Sequence, residues 1–110
     1  MTVRTYSRGS ALPGIRLPWE YEVTPNVFDD LDLSSGYTFV FELYDRDNHR
    51  GLNKTTGITG GDGYVDIAWA LTDLDLDYGL YVARMTATET ATAKPRRWRP
   101  DDPLVIEIVA

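Results

Sequence analysis

Apolar and polar residues alternate along most of this chain with a period of two, and no segment sustains a period of 3.6 over ten residues, so the sequence predicts strands throughout. The clearest case is Tyr37–Tyr44, where Tyr37, Phe39, Phe41 and Leu43 share one face and Thr38, Val40, Glu42 and Tyr44 the other. Tyr64–Leu71 repeats the pattern with Val65, Ile67, Trp69 and Leu71 on its inner face. Leu80–Thr92 sets Tyr81, Ala83, Met85 and Ala87 against Val82, Arg84, Thr86 and Thr88, and Leu104–Val109 forms a last strand. Trp19–Val23, bounded by prolines, reads as an edge strand, and Leu52–Ile58 as a short return. Phe39, Phe41, Ile67, Trp69, Tyr81 and Ile106 are expected to pack in one cluster.

Turn residues divide these runs. Asn26–Gly36 reads as a turn-rich link, Asp45–Gly51 as a loop without apolar residues, and Gly60–Gly63 as a tight turn. Thr72 followed by Asp75 has the spacing of a capping box and predicts about one helical turn, with Leu74 and Leu76 facing the core and Asp73, Asp75 and Asp77 facing water. Ala93–Pro103 reads as a polar loop. The first 14 residues keep no period and read as an arm. The prediction is an all-β, Ig-like antiparallel two-sheet β-sandwich over residues 15–110 with a flexible N-terminal arm over residues 1–14.

Composition narrows the chemistry. A chain of 110 residues without cysteine has room for one core and excludes disulfides, thiolate nucleophiles and cysteine-based metal sites. Its net charge of -6 repels phosphate, so nucleic acid is not an expected partner. No run of 18 apolar residues and no secretory leader is visible, so the chain is expected to be made in the cytoplasm and not to span a membrane. His49 stands alone, without a Gly-x-Ser-x-Gly or phosphate-loop motif, and no catalytic function is expected. Asp45–Gly51 imitates the opening of a calcium loop, but position five is His49 and position twelve is Thr56, so a solvated hairpin loop is expected and neither metal nor cofactor.

From Phe28 to Ala110 the order of features resembles a small β-sandwich domain of tailed-bacteriophage virion proteins, notably tail and baseplate proteins of phages of actinobacteria. It is more loosely similar to the N-terminal domain of lactococcal upper baseplate proteins. The resemblance rests on Leu31–Leu43, Gly61–Trp69 and Leu76–Arg84. It implies a virion structural protein, a minor tail or baseplate component working by protein–protein assembly in the particle. Capsid decoration, a head–tail accessory role, or a carbohydrate-binding module for host attachment stacking sugars on Trp19, Trp98 or exposed tyrosines are the alternatives.

Two features stand outside the sandwich pattern. The arm carries Val3, Tyr6 and Leu12, which are awkward to leave in water, and Arg96-Arg97-Trp98-Arg99 is a basic cluster of the composition enriched at contact hot spots. Tyr6, Leu12, Arg96, Arg97, Trp98 and Arg99 are therefore the expected interface, joining copies of the chain or other virion proteins. Asp29, Asp30 and Asp73 are the acids expected to meet the arginines of a neighbouring copy.

Overall fold

The computed structural model describes residues 2–25, 27–98 and 103–110, and the side chains of all of these except 21–24 and 27–30. Eleven strands form in chain order: β1 (Thr2–Ser7), β2 (Ile15–Pro18), β3 (Glu20–Thr24), β4 (Val27–Asp30), β5 (Tyr37–Tyr44), β6 (Arg50–Lys54), β7 (Ile58–Gly61), β8 (Tyr64–Ile67), β9 (Gly79–Glu89), β10 (Pro95–Arg97) and β11 (Leu104–Val109). The large sheet runs β1-β11-β9-β5-β6, with β10 also on β9; the small sheet runs β2-β8-β7, and β3 and β4 make a separate hairpin. One apolar cluster holds Phe41, Leu43, Met85 and Ile106 of the large sheet together with Ile15, Leu17, Val65 and Ile67 of the small one. The protein is an all-β, Ig-like two-sheet sandwich.

Strand β9 is the spine of the large sheet. Its inward residues Tyr81, Ala83, Met85 and Ala87 are buried, and Phe39, Phe41 and Leu43 of β5 stand directly opposite Ala87, Met85 and Ala83. Bulky side chains on β5 are thus accommodated by small or flexible ones on β9, so the layer closes without overpacking. Trp69, just past β8, meets Phe41 edge-on at 5.6 Å and Tyr6 at 5.8 Å between ring centroids. The Tyr81 hydroxyl donates to the Asp77 carbonyl at 2.8 Å, the corner that pins the start of the corresponding strand in immunoglobulin sandwiches. No disulfide accompanies it, and Ala83 occupies the place two residues on where antibody domains carry a cysteine.

Several expectations are corrected. Residues 2–7 do not stand off as an arm: β1 lies parallel to β11, with Tyr6 buried at 5% exposure. The Arg8 amide donates to Val109, the Gly9 amide to Leu74, and the Arg8 guanidinium is 2.8 Å from Asp75. A strand whose inward residue fills the core over Trp69 is held even though its other positions are polar, and so six residues with one buried side chain show little periodicity. The antiparallel scheme accordingly has one parallel pair. Between Pro18 and Pro25 the expected strand is β3, shifted by one residue and paired only with β4, and Ile15–Pro18 supplies the small-sheet strand instead. The link after residue 26 contains β4, and Leu52–Ile58 divides between β6 and β7.

Strand β8 ends at Ile67, so Leu71 lies in a turn and is 81% exposed. No helix follows Thr72. The Asp73 carboxylate is taken by the Ala70 amide at 2.7 Å and by Lys54 Nζ at 2.6 Å, which holds residues 70–74 as a turn and leaves no capping box to form. Leu74 is buried as expected, but Asp73 is not in water: it neutralises Lys54, the one buried charged side chain among the described residues. Gly57 has φ +70° and sits where an added Cβ would stand 3.1 Å from Lys54 Nζ, so this corner needs glycine.

Removing Lys54 strands a buried carboxylate, whereas removing both charges does not. Lys54→Met is expected to lower stability by about 3 to 5 kcal/mol, and Lys54→Met with Asp73→Asn by distinctly less, because the asparagine oxygen still accepts from Ala70. Urea melts of the two variants measure the difference.

Candidate functional site

The expected interface residues do not form one patch. Tyr6 is part of the core, its hydroxyl donating to the Pro13 carbonyl at 2.9 Å, so it is not available to a neighbouring molecule. Leu12 is 80% exposed beside the Ile15 end of β2, whereas the Trp98 indole N–H donates to the carbonyl of Pro18 at the other end. Trp98 is half-buried, and its amide also donates to Met85. It clamps the β9–β10 hairpin onto the small sheet. Arg96 and Arg97 are exposed on β10 and form no ion pair among the described residues. Arg99 and the side chains of Asp29 and Asp30 lie outside the described residues, and Asp73 is committed to Lys54. Trp19 is buried at 3% exposure, which removes it from any stacking platform.

The loop after β5 owes its shape to Asp45, whose carboxylate accepts the amides of Asp47 and His49, both at 2.9 Å, while Asn48 takes φ 62°. It is a solvated hairpin turn, with the His49 side chain 81% exposed. Among the described residues no three His, Asp or Glu side chains come together in a metal-holding group.

The outer face of the small sheet carries a shallow trough of 350 Å³ beside Leu12. Its floor is made of Gly14, Gly57 and Ala68, and its wall is Arg16, bidentate to Asp66 at 2.7 and 2.9 Å and stacked 3.9 Å over the Tyr64 ring. The guanidinium holds the Asp66 carboxyl below its ordinary value. With both charges engaged, this wall offers little to a charged ligand.

Geometry gathers exposed apolar groups instead on the outer face of the large sheet. The register puts Val3, Val105, Val82 and Tyr44 side by side across β1, β11, β9 and β5, with Leu80 next along β9. Val3 is 44% exposed, Val82 44% and Leu80 53%, whereas Val105 between Val3 and Val82 is buried at 5%. Several polar groups around this row are paired within it, whereas Arg97 of β10, opposite Thr86 on the same face, is exposed and forms no ion pair among the described residues. Glu42 accepts from the Tyr44 hydroxyl at 2.7 Å and lies 3.4 Å from Arg50. Arg84 stacks 4.2 Å over the Tyr44 ring and donates to Asn48 at 2.9 Å, and Glu107 accepts from Thr5 at 3.1 Å. The carboxylate beside it pushes the Tyr44 phenol up. An apolar centre with tyrosine and arginine at its margin and few free charges has the composition of a protein contact.

No protein-family model, no curated protein and no solved structure matches this chain. The face must therefore be judged on its own chemistry. Sequence reasoning had Val82 and Arg84 on one side of β9 and drew nothing from it, because only the register of four strands reveals that Val3 and Tyr44 join them.

Asp66 provides a test of the wall on the small sheet. Its carboxyl is depressed in the folded protein, so the stability it contributes is fully present above the ordinary carboxylate value of 3.8 and is lost as pH falls through the folded value. Asp66→Asn is expected to flatten the fall in melting temperature between about pH 5 and pH 2, read by circular dichroism, while differing little from Asp66→Ala at neutral pH.

Proposed function

We propose that the chain is a bacteriophage virion structural protein, a minor tail or baseplate component that works by protein–protein assembly and carries out no catalytic step. The observation that carries the assembly part is the set of exposed apolar side chains Val3, Leu80 and Val82 on the outer face of the large sheet, on the surface of a protein that is strongly acidic. The likeness of Leu31–Leu43, Gly61–Trp69 and Leu76–Arg84 to phage sandwich domains supports the virion as the place of assembly. A hydrogen-bonded sheet suits that role, since its outer face presents a surface that needs no rearrangement on contact.

The sugar-binding alternative has less support, because Trp19 is in the core and the Trp98 indole N–H is already bonded to Pro18. Capsid decoration and a head–tail accessory role use the same kind of surface and differ only in location within the particle.

Mass spectrometry of gradient-purified virions of the phage that encodes the chain tests this reading. The chain is expected in the particles at a fixed ratio to the major tail protein, and to remain after washing in high salt, since an apolar contact is not weakened by screening. Finding it only in the lysate, never in particles, contradicts the proposal.

A further inference from the structure

We infer that Lys54 and Asp73 join covalently: the Lys54 amine condenses with the Asp73 side-chain carboxyl, giving an amide that ties β6 to the turn after β8, with loss of one water. The reaction is a single self-modification of the chain and turns over no substrate. Three features of the pair carry the inference.

The first is contact. Lys54 Nζ stands 2.6 Å from Asp73 Oδ2, with the Lys54 side chain 3% exposed and that of Asp73 14%. The carboxyl carbon is one bond beyond that oxygen, and groups held with their reacting atoms about 3 to 3.5 Å apart behave as though at very high concentration. Both ends are fixed. Lys54 lies opposite Phe41 in the sheet and beside Gly57, and the Asp73 carboxylate is held by the Ala70 amide at 2.7 Å.

The second is hydrogen bonding. An ammonium carries three N–H donors, and Asp73 is the one acceptor that Lys54 meets among the described residues. Two donors of a buried charged group are thus left without a protein acceptor, which is costly. The amide removes the mismatch, since it carries one N–H in place of three and no charge, and its oxygen keeps the hydrogen bond from Ala70. The third is the apolar setting. Phe41 is fully buried and meets Trp69 edge-on, so water, which would reverse the condensation, has little access.

The step balances without another reactant. One proton moves from Nζ to the carboxyl, leaving a neutral amine beside a carboxylic acid. The nitrogen lone pair bonds to Cγ, the developing charge falls on Oδ2 where the Ala70 N–H already points, and the Cγ–Oδ1 bond breaks. Of the three ammonium protons one stays on the amide nitrogen and two depart on Oδ1 as water. No third titratable side chain forms a hydrogen bond or ion pair with Lys54 or Asp73 among the described residues, so no proton relay assists the step. The reaction is therefore slow, and freshly made protein carries the ion pair.

Intact-mass spectrometry of the full chain, fresh and after several days at neutral pH, tests the inference. A species lighter by one water is expected to accumulate. Trypsin is expected to leave that species uncut at Lys54, so that residues 51–84 appear as one peptide without backbone fragment ions from between positions 54 and 73. Lys54→Arg, which keeps the positive charge and has no amine, is expected to keep its full mass. The bonded form closes a loop over residues 54–73 and is expected to melt several degrees above the fresh protein, as a cross-link that restrains the unfolded chain does.

A parent that keeps its full mass throughout overturns the inference. So does a lost water that maps to a succinimide at Asp62-Gly63 rather than to Lys54, or a Lys54→Arg variant that loses water as fast as the parent. The mass and peptide map of the parent decide the matter even where the variant does not fold.

Discussion

The structure depends on the two-sided pattern of β9. Its inward residues close the core beneath β5 and β11, and its outward residues Leu80, Val82 and Arg84 make the middle of the exposed face. A strand of 11 residues hydrogen-bonded on both sides fixes the register of its neighbours, and a slip of one residue would exchange Tyr81 and Met85 with Val82 and Arg84. The corner between Tyr81 and Asp77 sets where that register begins. Core and contact face are therefore two consequences of one alternation.

Around this spine the chain uses polar groups as latches. Lys54 and Asp73 tie the edge strand β6 to the turn after β8, Arg8 and Asp75 tie the end of β1 to the same connection, and Trp98 ties the β9–β10 hairpin to β2. The Lys54–Asp73 pair is the most consequential, because both charges are taken out of water and a lost partner is not replaced by solvent. The paired groups on the outer face act differently: they lie nearer to solvent and contribute modestly to stability.

Strands whose alternation is complete were legible from sequence. Residues 37–44, 79–89 and 104–109 fall where the pattern of Phe39 to Leu43, Tyr81 to Ala87 and Leu104 to Ile108 places them, and the expected core residues do join one cluster, with Phe39 half-buried at its margin. Tertiary constraints were not legible. Residues 2–7 show one buried side chain, and nothing local announces a parallel pairing with residues more than a hundred positions away. Thr72 and Asp75 have the spacing of a helix start, yet Asp73 is claimed by Lys54 from a distant strand. The candidate site failed for the same reason. Tyr6 looked free only while its partner Trp69 was unknown, and the apolar row exists only across four strands. One local signal was present: Asp77-x-Gly79-x-Tyr81, the spacing of the tyrosine corner, marks the start of β9.

Native-state hydrogen exchange tests the central claim, that β9 organises the sandwich, most directly. If it is right, the amides of Tyr81 to Ala87 exchange only through global unfolding and carry the full stability of the protein, while those of β3 and β4 open at much lower cost. Exchange of the β9 amides as fast as those of the β3–β4 hairpin would contradict it.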